Sequence, residues 1–213
     1  MRRLERTSGF IIVFSMVVFS FTGWPAHAGD SSGNSVTVAP PLVANVCEAC
    51  HGKDGNSVDK SVPSLAGQGG VYLQRQVAAF QAQRRLGIMS GVAMGLNNAE
   101  IREAATYFSQ QIAKPGANQS SGAGAPQRGE EIYVEGIVAT QVPACASCHA
   151  MNGAGLPPEF PRLAGQHARY IAEQLRAFRS GNRYGNNAMM RKVSAKLSDQ
   201  QIEAVADYIE HLH

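Results

Sequence analysis

Two five-residue segments contain all four cysteines of this 213-residue chain: Cys47–His51 has the sequence Cys-Glu-Ala-Cys-His, and Cys145–His149 has Cys-Ala-Ser-Cys-His. Helical residues three and four apart share a face, so both cysteines and the histidine of each segment point the same way. Two thiols can then form thioether bonds to one porphyrin while the imidazole binds its iron. The spacing predicts two covalently bound c-type haems. The predicted attachment residues are Cys47, Cys50, Cys145 and Cys148, with His51 and His149 as iron ligands.

Three other sites use paired cysteines. A zinc site joins two pairs that are usually about 15–20 residues apart, whereas Cys50 and Cys145 are separated by 95 positions. A thioredoxin-like redox pair needs a βαβ unit, and no strand pattern flanks either segment. A disulfide framework suits four cysteines in an exported protein but does not explain a histidine after both pairs. We therefore favour haem attachment.

Residues 1–28 have the features of a cleaved secretory signal peptide. Three arginines lie among the first six residues, an apolar run covers Phe10–Phe21, and Ala26–Ala28 forms an A-x-A cleavage site. The apolar run is shorter than the about 20 residues of a membrane span. We expect export to the periplasm and haem attachment there; an uncleaved amino-terminal anchor is the alternative.

The charge of the mature chain does not support a nucleic-acid-binding function. The whole chain has 19 basic and 16 acidic residues, and residues 1–28 include three of the arginines and one glutamate, so cleavage lowers the formal charge from +3 to +1. Phosphate-binding surfaces need a clear cationic excess. No nucleic acid is therefore expected among the partners.

The remaining chain is an internal duplication. Residues 98 positions apart match in both halves: Pro63 with Pro161, Leu65–Gln68 with Leu163–Gln166, and Tyr72, Gln76 and Phe80 with Tyr170, Gln174 and Phe178. Past Arg84 the offset becomes 101, which predicts three extra residues in the loop 181–188. A Gly-, Ser- and Pro-rich stretch separates the halves. We predict domains at 36–114 and 127–213, joined by a linker at 115–126.

Apolar residues at helical spacing, and no alternating strand pattern, predict an all-α fold. The final helix of each half has apolar residues at i, i+3, i+4 and i+7, namely Ile101, Ala104, Ala105 and Phe108, and Ile202, Val205, Ala206 and Ile209. Asn97 with Glu100, and Ser198 with Gln201, are predicted capping boxes. A middle helix is predicted over 70–84, with an equivalent in the second half.

The second axial iron ligands are predicted from the repeat. Met89 and Met190 each lie seven residues before a matched leucine, Leu96 or Leu197, so they occupy equivalent positions. Other methionines in a helical protein usually fill gaps in the core. Met189 remains the alternative for the second haem, because a longer loop could change which sulfur reaches the iron.

Two loop prolines, Pro63 and Pro161, are candidate hydrogen-bond acceptors for the second nitrogen of each ligating imidazole; simple turn prolines are the alternative. His167 is not duplicated and is predicted to be a surface residue. His211 and His213 are predicted to titrate in solvent.

A basic segment extends from Arg162 to Lys196, with eight Lys or Arg residues and one acid, Glu173. This segment is interpreted as a docking face, a set of haem-propionate partners, or a solvated helix surface. Arg176, Arg179 and Arg183 are the cations expected to steer a redox partner.

With its signal peptide, its two Cys-x-x-Cys-His segments, its paired Pro-x-Leu-Ala-Gly-Gln stretches, and its Met89–Gly91 and Met190-Arg191 sequences, the chain resembles the cytochrome c4 family. The resemblance implies two mitochondrial-type cytochrome c domains, each with a His/Met-ligated haem iron. It also implies a periplasmic electron carrier of a respiratory chain ending in an oxidase.

With both axial positions filled, the iron passes electrons and has no position open to substrate. We therefore expect no enzymatic activity, and we expect redox partners such as a quinol-oxidising complex and a terminal oxidase. Peripheral membrane association is left open by the sequence. The alternatives are the haem subunit of a larger dehydrogenase or oxidase complex, and a dihaem peroxidase.

Overall fold

The computed structural model describes residues 38–116, 125–184 and 188–212. The predicted signal peptide, most of the predicted linker, and His213 lie outside these ranges. The described residues form helices, turns and isolated β-bridges, and the predicted all-α fold is confirmed. None of the helices in the described ranges is both long enough and apolar enough to cross a membrane.

The described part of the first half, residues 38–116, contains four α-helices. A π-helical turn, Val43–Cys47, runs directly into α1 (Glu48–His51), followed by α2 (Gly70–Gln81), α3 (Met89–Met94) and α4 (Asn98–Ser109). The middle helix is three residues shorter than predicted. It ends because Gln83 adopts a positive φ of 53°, while the amides of Arg84 and Arg85 donate back to the carbonyl oxygen of Ala79.

The second half repeats this order after one additional α-helix, α5. Its helices are α5 (Ala125–Val134), α6 (Ala146–His149), α7 (Ala168–Ser180), α8 (Met189–Ser194) and α9 (Asp199–His211), with a 3₁₀ turn at Val138–Thr140. The short helices α3 and α8 were not predicted, because six residues are too few to establish a helical hydrophobic period.

The apolar faces predicted for the last helices pack into the core. In α9, Ile202, Val205, Ala206 and Ile209 are all buried, and α4 buries Ile101, Ala105 and Phe108. Both predicted capping boxes are confirmed: Asn97 accepts from the amides of Ala99 and Glu100, and Ser198 accepts from that of Gln201. These caps fix the residues at which α4 and α9 begin.

The duplicated Leu-Ala-Gly-Gln segments connect the two halves. The buried Gln68 side chain accepts from the amide of Arg162 at 3.0 Å and donates to its carbonyl oxygen at 2.9 Å. Gln166 repeats this with Ser64, at 2.9 Å and 3.0 Å. Because Ser64 and Arg162 are themselves 98 residues apart, the contacts have pseudo-twofold symmetry.

The glycine before each glutamine is required by the turn. Gly67 and Gly165 have φ values of 65° and 70°, a region that favours glycine. A Cβ atom at Gly165 would also lie 2.7 Å from the carbonyl oxygen of Lys114. The turn allows each glutamine to reach the opposite half.

We expect Gln68→Ala to lower the free energy of unfolding by about 1–3 kcal/mol, because it leaves the amide and carbonyl of Arg162 without their partner. Denaturant unfolding of the haem-loaded protein measures this change. The exposed Gln200→Ala is the matched control and should change stability by less than about 0.5 kcal/mol. Equal effects of the two substitutions would show that the contact between the halves does not contribute to stability.

Candidate functional site: two haem sites

Each candidate iron-binding histidine is the last residue of a short helix. His51 ends α1 and His149 ends α6, and their side chains are buried. Nδ1 of His51 lies 2.9 Å from the carbonyl oxygen of Pro63, and Nδ1 of His149 lies 3.0 Å from that of Pro161. In both halves a twelve-residue loop therefore closes on the imidazole and fixes the orientation of its ring.

This hydrogen bond decides which nitrogen is available to a metal. A carbonyl oxygen only accepts, so Nδ1 must carry the proton, and Nε2 retains its lone pair. Burial lowers the pKa of both imidazoles, although the bond to the proline carbonyl partly opposes the effect. The neutral form that binds iron is therefore favoured, and the acceptor raises its basicity as a ligand.

The cysteines lie on the helical turns that lead into these histidines. Cys47 ends the π-helical turn and Cys50 lies in α1, while Cys145 precedes α6 and Cys148 lies within it; none of the four forms a disulfide. Burial raises the pKa of the Cys47 thiol, and raises that of Cys145 to about 11. Two thiols and a neutral imidazole on one short helical stretch fit a covalently attached haem, and the assignment of the individual cysteines stays a prediction.

Met89 is the first residue of α3, and Met190 is the second residue of α8. Met190 is half-buried and packs against the core of the second half, whereas Met189 is 41 % exposed. Met89 is also half-buried, while Met94 and Met151 are both more than 60 % exposed. These positions support Met89 and Met190, rather than their neighbours, as the predicted ligands.

The prediction that His167 is a surface residue is wrong. Its side chain is only 14 % exposed, its Nε2 lies 2.9 Å from the carbonyl oxygen of Ser57 in the first half, and its Nδ1 lies 3.5 Å from Oε1 of Glu210. His211 is not free in solvent either, because its Nδ1 lies 2.7 Å from the carbonyl oxygen of Asp207. Both histidines have partners that spacing alone does not reveal.

The surroundings of Arg176, Arg179 and Arg183 weaken their predicted role in steering a partner. Arg179 pairs with Asp199 at 2.7 Å, and Arg176 pairs with Asp199 and Glu203. Arg183 is buried, with only 6 % of its surface accessible to solvent. The acids come from α9, outside the basic segment, so a count of charges along the segment overstated its field.

A polar cluster between the halves was not predicted from the sequence. Arg85 and Arg183 face each other across an antiparallel bridge and contact the duplicated tyrosines and glutamines of α2 and α7. They are 98 residues apart, so the offset of 98 extends beyond Arg84 and the extra residues follow Arg183. Continuing the alignment by one matched arginine would have identified the cluster.

The fold and the two matching histidine environments define a c-type cytochrome with two haem sites. Residues 126–213 match the cytochrome c family model. The chain is 38 % identical over 218 residues to cytochrome c4 of Azotobacter vinelandii, covering 95 % of this chain and 98 % of that one. The crystal structure of reduced cytochrome c4 from Pseudomonas stutzeri superposes with a TM-score of 0.74 at 40 % identity, covering 80 % and 95 % of the two chains.

The chain belongs to the cytochrome c4 family. Its cofactors are two covalently bound c-type haems, and it is an electron carrier rather than an enzyme. It is also similar to the thiosulfate dehydrogenase electron acceptor of Thiomonas intermedia, with 36 % identity over 180 residues and 82 % of each chain covered.

We expect Met89→Ala and Met190→Ala each to abolish half of the methionine-to-iron charge-transfer band of the oxidised protein, because each removes one thioether ligand. Absorption spectroscopy of the purified variants measures the band. Met94→Ala and Met189→Ala are matched controls that should leave it intact. Loss of the band in Met189→Ala, with retention in Met190→Ala, would reverse the assignment in the second half.

Proposed function

We propose that this protein carries single electrons in the periplasm, from a quinol-oxidising complex towards a terminal oxidase. The observation that carries the proposal is the matched hydrogen bond from Nδ1 of His51 and of His149 to a proline carbonyl oxygen. When bound, the haem iron supplies one-electron redox chemistry. His51 and His149, with Met89 and Met190 as the predicted thioether ligands, would hold the iron; such a ligand set would favour the reduced state and leave no position for oxygen or peroxide.

Two sites in one chain allow electrons to enter at one half and leave at the other. The surfaces around α3 and α8 differ in a way that suits this division. In α8 the residues after Met190 are Arg191 and Lys192, both exposed, whereas the matched residues of α3 are Ser90 and Gly91. A partner with an acidic surface would therefore distinguish the second half from the first.

Three basic residues in or just after α8, namely Arg191, Lys192 and Lys196, are better placed to steer a redox partner than Arg176, Arg179 and Arg183. Among the described residues, no ion pair involves Arg191, Lys192 or Lys196, and all three are exposed. Lys196 donates to the carbonyl oxygen of Gln141, which holds its charge beside α8. We propose that these three residues form the electrostatic docking surface.

We expect the double variant Arg191→Gln/Lys192→Gln to slow association with an acidic redox partner roughly tenfold at low salt, and to have little effect at high salt. The reason is that the field of a local patch decays over a Debye length of about 8 Å at physiological salt. Stopped-flow electron exchange at several ionic strengths measures the rate. The control Arg176→Gln/Arg179→Gln removes the same charge from side chains that are already ion-paired, and should have a smaller effect. If the two double variants slowed association equally, the partner would not dock preferentially at Arg191 and Lys192.

The respiratory role is tested with purified haem-loaded protein and membranes that contain both complexes. We expect quinol to reduce the protein in a reaction blocked by an inhibitor of the quinol-oxidising complex, and the oxidase to reoxidise it. A protein that neither complex reduces nor oxidises would contradict the proposal. Binding of carbon monoxide by the reduced protein would instead indicate an open iron and support a dihaem peroxidase.

A second function is favoured by one comparison, the similarity to a thiosulfate dehydrogenase electron acceptor. The chain would then serve as the haem subunit or direct acceptor of a dehydrogenase. Copurification at low salt, and thiosulfate-dependent reduction by a purified thiosulfate dehydrogenase that is faster than reduction by the quinol-oxidising complex, would support this function. Absence of both results would leave the respiratory proposal as the better account.

A further inference from the structure

One face of α8 packs into the core of the second half and includes a single hydroxyl group. Residues at i, i+3, i+4 and i+7 share a helical face, and counted from Met190 these are Met190, Val193, Ser194 and Leu197. Met190 and Val193 pack against the core, and Leu197 is part of it. Of these four residues only Ser194 is polar, and it is 0 % exposed. A serine is thus enclosed on the same face as a predicted iron ligand.

The hydroxyl of Ser194 has no hydrogen-bond partner among the described residues. A serine inside a helix often donates to the carbonyl oxygen four residues earlier, but Ser194 does not bond to that of Met190. Its own carbonyl oxygen is satisfied, since the amide of Leu197 donates to it at 3.3 Å. A buried hydroxyl without a partner is unfavourable, because it has lost its bonds to water. The hydroxyl therefore needs an acceptor in the haem-loaded protein.

The first half shows that the fold itself does not require this hydroxyl. The offset of 101 that pairs Met89 with Met190 also pairs Ala93 with Ser194. Ala93 is likewise 0 % exposed, so an apolar side chain fills the matched position completely. Packing alone therefore does not explain a serine in the second half.

Helix geometry directs the hydroxyl towards the turn that contains Met190. Side chains four residues apart lie one above the other, and each leans towards the amino-terminal end of its helix. Val193 and Leu197, the other residues of this face, have no side-chain acceptor. A thioether sulfur is a weak acceptor. The sulfur of Met190 is thus the side-chain acceptor that this face of α8 offers to Ser194.

We propose that Ser194 is a positioning residue for the second haem, whose hydroxyl donates a hydrogen bond to the sulfur of Met190 when that sulfur ligates the iron. The inference rests on the predicted ligand role of Met190 and not on the proposed respiratory role. Hydrogen bonds to a ligand orient it and tune the potential of the metal. A donor draws electron density from the sulfur, which then stabilises oxidised iron less. Ser194 therefore raises the potential of the second haem, and Ala93 has no such effect on the first.

The substitution Ser194→Ala removes the hydroxyl and leaves the side chain that the first half has at this position. We expect it to lower the midpoint potential of one haem and to leave the other unchanged, because only the second haem loses a hydrogen bond to its ligand. The affected haem should be the one whose potential also changes in Met190→Ala. The methionine-to-iron band should persist at a shifted wavelength, since the sulfur still ligates the iron. Spectroelectrochemical titration of the haem-loaded protein measures the potentials and the band.

Thermal unfolding separates this role from a purely structural one. If the hydroxyl stays unpaired, Ser194→Ala removes a buried unsatisfied group, so the melting temperature rises while the potentials and the band stay unchanged. That result would overturn the inference. A changed potential with an unmoved band would also overturn it, because the hydroxyl would then act on another part of the haem or on a buried water. The control is Ser180→Ala, an exposed serine that donates within α7 to the carbonyl oxygen of Ala177; it should alter none of these quantities.

The reciprocal substitution Ala93→Ser places a hydroxyl at the matched position of the first half. We expect the potential of the first haem to rise and that of the second to stay unchanged, because the new hydroxyl lies four residues after Met89. A potential of the first haem that is unchanged or lower in Ala93→Ser would contradict the claim that a hydroxyl at this spacing raises the potential.

Failure of this inference can be distinguished from failure of the ligand assignment. If the band of the second haem survives in Met190→Ala, both the assignment and the inference are wrong. If that band is lost and Ser194→Ala leaves potentials and band unchanged, only the inference is wrong. The proposed respiratory role depends on neither result, since it is tested by electron exchange with the two membrane complexes.

Discussion

The structure depends on one hydrogen bond, made once in each half, between the Nδ1 atom of a histidine and a proline carbonyl oxygen. His51 with Pro63 and His149 with Pro161 leave Nε2 as the metal-binding nitrogen and fix the plane of each ring. The same bond closes the loop between the cysteine segment and the Leu-Ala-Gly-Gln turn. The cofactor site and the contact between the halves are thus built from one continuous stretch of chain.

The contact between the halves follows from that geometry. Gln68 and Gln166 leave their turns and bond to the backbone of the opposite half, and Arg85 and Arg183 extend the contact to the ends of α2 and α7. Each of these glutamine and arginine contacts is made twice, since the residues occupy matched positions in the repeat. An interface of reciprocal polar contacts specifies a single arrangement of the halves, because a rotation that kept one set would break the other.

The local features were predictable from the sequence, and the contacts between distant residues were not. Helix faces such as that of Ile202 and Ile209, the two capping boxes, and the conformations required at Gly67 and Gly165 depend on nearby residues. His167 and Arg176 were misjudged because their partners Ser57 and Glu203 are distant in sequence. The pair Arg85 and Arg183 was not predicted for a different reason: the alignment of the two halves at an offset of 98 was stopped at Arg84, one residue too early.

The central claim is that each half holds one haem with both axial positions filled by the chain. An optical redox titration that counts electrons tests it most directly. The account predicts two electrons per chain, both taken up at high potential, with the methionine-to-iron band declining during both steps. Uptake of a single electron, or a band that declines in only one of two steps, would contradict it.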